Sequence, residues 1–252
     1  MSKILNFHKI FIENTYILAE KLSLEIVNDF KPNNGETYYI FGSHLHPDRL
    51  AIIQETINVK YIILQTEQIN SQFFLNKFYL KLLQNPKNVV LNWSNELSRL
   101  LKKYDVVSKG LFEYQFLPQP INDVRDVDFF FCGSITPYRK AITDEIKKIY
   151  PDKVCIFDFN WAFEDNKKLT EMLLRTKYVL NIPYYKDNIL ETHRINKALS
   201  CGTIVLSEIS YCEELNEKYR KYIHFGNLIK LVKSINKLPK KEKLKYDYIL
   251  KI

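Results

Sequence analysis

The chain has 252 residues, 46% of them hydrophobic, with 37 basic against 29 acidic side chains and a formal charge of +8. That length suits one large domain or two small ones, and no apolar run approaches the ~18 residues that a membrane-spanning helix needs. Residues 1–22 include Glu13 and Glu20 and lack a small-residue cleavage site, which argues against a secretory leader. Cys132, Cys155, Cys201 and Cys212 are widely spaced and form no CxxC pair. They are read as buried thiols in a reducing, cytoplasmic setting, not as a disulfide framework or a zinc site. The histidines form no ligand cluster, although His44 and His46 are close in sequence.

In chain order, the spacing of Ile10, Phe11, Tyr16, Ile17 and Leu18 predicts a helix over 8–22. Strands are expected at 36–44 and 60–68, and a strongly periodic helix at 71–84. Another strand begins in "KNVVLNWS", followed by a helix in "NELSRLLKKY". Short strands are expected in "DVVS" and "QFLP". Two prolines, Asn122 and several charges in "PQPINDVRD" (118–126) read as a linker, dividing the chain into 1–122 and 123–252.

The second half alternates more regularly. Strands are expected in "VDFFFCGS", "KVCIFDF", "KYVLNIP", "TIVLSE" and "YIHFGN". Helices between them begin at Pro137, suited to a first helical turn, and within "NKKLTEMLLRT", "THRINKALSCG" and "LIKLVKSINKL". Continuous apolar strands alternating with amphipathic helices imply a parallel sheet covered on both faces. The expected class is therefore α/β, with two Rossmann-like domains facing each other across a cleft. Residues 218–252 hold eleven Lys and Arg against two acids. This is read first as a solvated basic terminal helix, with an anionic membrane surface or nucleic acid as other partners for residues 218–245.

In open α/β sheets, ligands lie beyond the carboxyl ends of the strands. After the strand at 127–132 come Gly133 and Ser134, then a helix whose first turn carries Arg139 and Lys140. Cations there oppose the helix dipole, and a bound diphosphate relieves the conflict. After the strand at 177–182 come "YYKDNILE" and then Thr192, a candidate cap, with His193 and Arg194 in the first turn. Glu191 is placed to accept from ribose or sugar hydroxyls. Ser207, Glu208 and Ser210 follow the next strand. In the first half, "FGSHLHPDR" brings His44, His46 and Asp48 to a strand end, and His44 or Asp48 is the candidate general base. Gln65, Glu67 and Gln68 end the neighbouring strand and are able to bind hydroxyls. For each of these loops the alternative is an ordinary polar turn. Neither GxxxxGK[ST] nor GxGxxG is present.

Taken together, "FFFCGSITPYRKAI", "YVLNIPYYKDNILETHRINKALSCGTIVLSE" and "YIHFGNLIKLVKSI" resemble the C-terminal donor-binding domain of GT-B glycosyltransferases of the group 1 type. The resemblance covers about 127–238 and, more loosely, 36–120. It implies that Gly133, Arg139 and Lys140 contact the phosphates of a donor. It also implies that Glu191, Arg194 and the turn around His193 contact its nucleotide or sugar. The E-x7-E pair of that family is not intact, since Leu199 stands eight positions past Glu191, and "YYKDNI" replaces its Gly-rich loop. Whether transfer is retaining or inverting is left open.

The resemblance implies a glycosyltransferase that moves a sugar from a UDP- or GDP-linked donor to an acceptor hydroxyl of a glycan, protein or lipid. It needs no bound cofactor, and no metal ligands are assigned. The rival readings are a degenerate, non-catalytic relative, a Rossmann-like scaffold, and a nucleic-acid binder using the basic segment with Tyr219, Tyr222, Tyr246 and Tyr248. The last has no RRM, KH or helix-turn-helix signature to support it, and no specific nucleic acid is expected.

Overall fold

The computed structural model describes residues 2–120, 124–160, 162–163, 165–185, 188–243 and 250–251. The chain forms two compact units, one of Met1–Gln115 with Asp247–Ile252, the other of Phe116–Tyr246. The linker expected at 118–126 includes residues 121–123, which lie outside the described set.

The first unit runs β1 (Lys3–Asn6), α1 (Ile12–Leu22), β2 (Glu25–Val27), β3 (Thr37–Phe41), α2 (Pro47–Thr56), β4 (Lys60–Leu64), α3 (Lys77–Gln84), β5 (Val89–Asn92), α4 (Asn95–Leu101) and β6 (Ser108–Phe112). Its sheet has the order β2-β1-β3-β4-β5-β6, and all of these pairs are parallel. Ile4, Ile40, Ile63 and Leu91 are fully or almost fully buried, the pattern of strands covered on both faces.

Several elements differ from expectation for local reasons. Asn76 is extended and its side chain accepts from the N–H groups of Phe78 and Tyr79, so α3 starts there and residues 71–76 form turns. Asp105 takes a left-handed backbone (φ 55°), and one strand at 108–112 replaces the two expected in "DVVS" and "QFLP". Helix α2, with Pro47 at its first position and Leu50 and Ala51 turned inward, was not expected; nor were the short strands β1 and β2.

The second unit runs β7 (Val127–Cys132), α5 (Pro137–Ile149), β8 (Cys155–Asp158), α6 (Asn166–Arg175), β9 (Thr176–Asn181), α7 (Thr192–Ser200), β10 (Ile204–Ser207), α8 (Glu213–Tyr219), β11 (His224–Phe225) and α9 (Leu228–Lys233). Its five strands are all parallel in the order β11-β10-β9-β7-β8. Phe129, Phe131, Ile146, Leu180, Leu206 and Leu228 form its core. The Arg125 guanidinium donates to the carbonyls of Leu173, Thr176 and Cys201 and to Thr203 Oγ1, closing groups that the ends of α6 and α7 leave open.

The basic stretch does not form the terminal helix expected. Among its described residues it passes through α8, β11, α9 and a 3-10 turn at Ile235–Lys237, then runs irregularly to Lys243. Tyr219 is buried, its hydroxyl donating to Asn196 Oδ1 at 2.7 Å, so it is no stacking platform for bases. Tyr246 and Tyr248 lie outside the described residues. The final strand, β12 (Leu250–Lys251), pairs antiparallel with β6 of the first unit. Among the described residues no helix is long and apolar enough to cross a membrane.

Both sheets share one feature of topology. Numbered within each unit, the strands run 2-1-3-4-5, continued by a sixth strand in the first unit, so the direction of winding reverses between the first and third strands. In the first unit that point lies between β1 and β3; in the second, between β7 and β9. A crevice for ligands opens at the carboxyl ends of strands flanking such a point.

Candidate functional site

At the switch point of the second unit, β7 ends in Gly133 and Ser134, and β9 leads into 182–191. Gly133 has φ 151°, a backbone that side-chain-bearing residues rarely adopt. A Cβ at this position would lie 3.2 Å from Arg139 Nη1 and 3.2 Å from Arg194 Nη2. The two arginines come from equivalent places, each the third residue of its helix, Arg139 in α5 and Arg194 in α7. Both guanidinium groups lie against the Phe131 ring, at 5.1 and 5.4 Å from its centroid.

Their bonding differs. Arg139 is 2% exposed and fully engaged. Its Nε and Nη2 donate to the Ile182 carbonyl at 3.1 and 2.8 Å, its Nη1 donates to the Ser134 carbonyl at 2.9 Å, and Nη2 reaches Glu191 at 3.4 Å. Tyr184 lies on its other side, 5.2 Å away. Burial first, and the Arg194 charge second, pull its pKa down to about 10, which leaves it cationic at neutral pH. Arg139 therefore ties the loop after β9 to the loop after β7. Among the described residues Arg194 bonds through Nη1, toward Glu191 at 2.7 Å and Asn181 Oδ1 at 3.2 Å. Its Nη2 has no acceptor among the described residues and hangs over Gly133. Asn181 is itself held by its Nδ2 donating to Ser207 Oγ at 2.9 Å. Ser207 thus reaches the site by fixing Asn181.

Two guanidinium groups share the Glu191 carboxylate over a backbone cradle, with the Asp158 carboxylate at the neighbouring strand end. Helix N-termini add partial positive charge: Thr136 caps α5 by accepting from the Arg139 N–H at 3.0 Å, while the Glu191 carboxylate is drawn to the arginines and caps nothing. The cap of α7 is Glu191, not Thr192, which is the first helical residue. Such an arrangement suits a phosphate or diphosphate.

Other predicted residues lie elsewhere. Lys140 is exposed and pairs with Asp144, four residues on, at 2.6 Å. The His193 ring packs edge-on against Phe116, with centroids 5.0 Å apart. Glu208 accepts the Tyr138 hydroxyl, and Ser210 bonds to Asn216. Lys186 and Asp187 are outside the described residues. Asn181 and Phe131 were missed, because buried residues near a strand end look like core in a sequence, and the exposed loop residue Tyr184 carries no signal of its own. Asp158 was missed too. It ends β8 beside this edge, its carbonyl accepting from the Gly133 N–H at 3.0 Å, and its Oδ2 is buried with no partner among the described residues.

In the first unit, His44 is buried and its Nε2 lies 3.2 Å from Glu67 Oε1, with Thr66 Oγ1 3.5 Å from Nδ1. Burial pushes its pKa down to about 3, with a smaller push from His8, so the ring is neutral at pH 7. A neutral ring that donates from Nε2 to Glu67 turns an acceptor Nδ1 toward Thr66. It is Glu67 that partners His44. Asp48 is exposed in the first turn of α2, where a carboxylate suits the helix dipole. His46 is exposed and sits edge-on to Phe7. Among the described residues no three His, Cys, Asp or Glu side chains converge as metal ligands would.

No family model matches the chain. Uncharacterized protein L140 of Acanthamoeba polyphaga mimivirus is 26% identical over 264 residues, spanning 89% of this chain and 80% of that protein. Among solved structures, TarM superposes with a TM-score of 0.54 at 10% identity, covering 88% of this chain and 50% of TarM. This chain therefore spans half the length of TarM. An alpha-glucosyltransferase (AGT) in complex with UDP gives a TM-score of 0.41 at 12% identity, over 84% of this chain and 81% of that protein. The chain is an α/β protein of two Rossmann-like units, each on a parallel sheet, with a GT-B-like fold.

Proposed function

We propose that the protein is a glycosyltransferase that binds a UDP- or GDP-linked sugar at the carboxyl edge of the second sheet and passes the sugar to an acceptor hydroxyl. The observation that carries this reading is the meeting of Arg139 and Arg194 over Gly133 at the switch point. Arg139 is the strut that shapes the cradle, and Arg194 offers Nη2, which has no acceptor among the described residues. Gly133 and Ser134 supply backbone that a diphosphate can approach closely. In the reaction the acceptor oxygen bonds to the anomeric carbon as the carbon–oxygen bond to the diphosphate breaks. Negative charge then grows on the departing phosphate, where a guanidinium already held in place stabilises it without reorganisation. The acceptor's proton goes to a base; His44, buried with its pKa at about 3 and both ring nitrogens engaged, is poorly suited to the task, which leaves the exposed Asp48 as the candidate. Lys140 pairs with Asp144 and the His193 ring packs edge-on against Phe116, and this reading assigns neither a step.

Thermal unfolding of the full chain with UDP, GDP, CDP and ADP tests the reading. A ligand of the folded state present at 100 times its Kd adds about 2.7 kcal/mol of stability. A rise in midpoint with UDP or GDP that disappears in Arg194→Ala supports the donor site. Midpoints unmoved by all four nucleotides overturn it.

A further inference from the structure

The first sheet ends in β12 and β2, the second in β11 and β8. An edge strand offers a row of unpaired N–H and C=O groups to any extended chain, and proteins blunt such edges by covering, shortening or charging them. In the first unit β6 is covered by the short β12, and β2 is three residues long and opens on the exposed Glu25. In the second unit β11 is two residues long, and the chain leading into it is held down, with Lys241 Nζ and the Glu242 N–H donating to the carbonyls of Arg220 and Lys221. The remaining edge, β8, has none of these devices. It pairs with β7 in unbroken register over Cys155–Asp158, without proline or bulge, and among the described residues no strand lies on its other side.

The side chains around β8 are correspondingly half-open. Every other strand of the second sheet holds at least one buried residue, whereas Cys155, Ile156, Phe157 and Asp158 are all only partly buried. Val154, just before the strand, is 49% exposed. The connecting helices share the pattern. Helix α6 buries Leu173 and leaves Leu169, Met172 and Leu174 partly open, and Ile142 and Ile149 of α5 are partly open too. The nearby lysines do not guard the edge: Lys153 turns to Asp128 at 3.7 Å, and Lys147 lies over the Phe157 ring at 5.4 Å.

Hydrogen bonding fixes which partner fits. The carbonyls of Val154 and Asp158 accept from the N–H groups of Phe129 and Gly133. Backbone groups alternate along a strand, so residues 154, 156 and 158 face β7, and the N–H and C=O of Cys155 and Phe157 point outward. Two copies of β8, antiparallel about a twofold axis through Ile156, set Cys155 of one copy opposite Phe157 of the other. Every outward group of both strands then has a partner, and the two Ile156 residues meet at the axis. Lys153 of one copy comes level with Asp158 and Phe159 of the other, so unlike charges flank the pair. An axis normal to the sheet also brings α5 beside α5 and α6 beside α6, closing the half-open apolar rims. That added area matters, since a stable dimer buries about 1,200–2,000 Å², more than two short strands supply. We propose that the protein is a dimer through β8, its partner a second copy of this chain, with the two five-stranded sheets joining into one. The pairing involves no nucleotide and stands apart from the donor site.

Sedimentation velocity on the full chain tests this, with disulfide crosslinking to place the axis. At about 100 µM, a concentration that populates even weak dimers, the expected mass is twice that of the chain. Val154→Glu sets a second carboxylate opposite Asp158 of the other copy and should raise the dimer Kd at least about tenfold. Val154→Lys sets an ammonium there and should weaken the dimer far less. In a Cys155→Ser background, Ile156→Cys brings two thiols together at a non-hydrogen-bonded pair with Cα atoms about 4.5 Å apart, within disulfide reach. Mild oxidation should link that variant, and should link the more exposed Val154→Cys far less. A monomer at about 100 µM overturns the proposal, as does a dimer that responds equally to Val154→Glu and Val154→Lys, or one in which Val154→Cys links as readily as Ile156→Cys. Should Val154→Glu fail to fold, the two crosslinking variants still decide the matter.

Discussion

Arg139 and Arg194 converge on a single glycine, each guanidinium 3.2 Å from where a Cβ at Gly133 would stand. Gly133→Ala therefore strains the backbone at φ 151° and pushes a methyl into both charges. The expected cost is about 1–3 kcal/mol of stability, with loss of nucleotide binding. Denaturant unfolding and calorimetric titration of the same variant measure the two effects.

The two arginines separate when truncated. Arg139→Ala leaves the Ile182 and Ser134 carbonyls without their donor in a buried place, and should cost about 3 kcal/mol. Arg194→Ala removes a partly exposed group from Glu191 and Asn181 and should cost about 1 kcal/mol. Nucleotide binding falls in both. Urea midpoints that move equally in the two variants would contradict this division of labour.

Asn181 and Ser207 position Arg194 without touching the site directly. Ser207→Ala should weaken nucleotide binding about fivefold, near 1 kcal/mol, and leave the unfolding midpoint close to that of wild type. Asn181→Asp adds a charge facing Arg194 and should draw the guanidinium inward, lowering affinity further. Calorimetry on both variants checks the order.

His44 imposes a pH dependence on the first unit. Its folded pKa is about 3, against the ordinary 6.5, so the unfolded chain binds the extra proton between those values. Stability is fully present above about pH 6.5 and is lost as pH falls toward 3, by at most about 1.4 kcal/mol per unit. His44→Gln should flatten that slope, as followed by urea unfolding from about pH 4 to about pH 7.

Arg125 clamps three carbonyls and the Thr203 hydroxyl at the other end of the second sheet. Arg125→Met should destabilise that unit by about 2–4 kcal/mol without changing the nucleotide affinity of the folded protein. A change in affinity at unchanged stability would contradict its structural role.

The second unit was legible in the sequence because its strands are continuous apolar runs ended by turn residues. "VDFFFC" and "TIVLS" permit little else, and Gly133 was visible just after the first of them and Arg194 in the helix that precedes the second. The first unit was harder to read. β1 and β2 are short, and Asn76 stops the 71–84 periodicity from becoming one helix. Side-chain destinations were the least legible. Lys140 and Arg139 are adjacent in the sequence, yet the helix turns Arg139 inward to Ile182 and Lys140 outward to Asp144. Likewise His44 sits four residues from Asp48 and finds Glu67, brought beside it by the neighbouring parallel strand. Such pairings depend on strand order, which a residue pattern does not specify.

The most direct measurement is isothermal titration of UDP and GDP into the full chain and into Arg194→Ala. The account predicts that one diphosphate binds the wild type with a Kd of about 1 mM or tighter, and that Arg194→Ala weakens it at least about tenfold. Absence of binding by either diphosphate, or equal binding by wild type and Arg194→Ala, would contradict a donor site over Gly133.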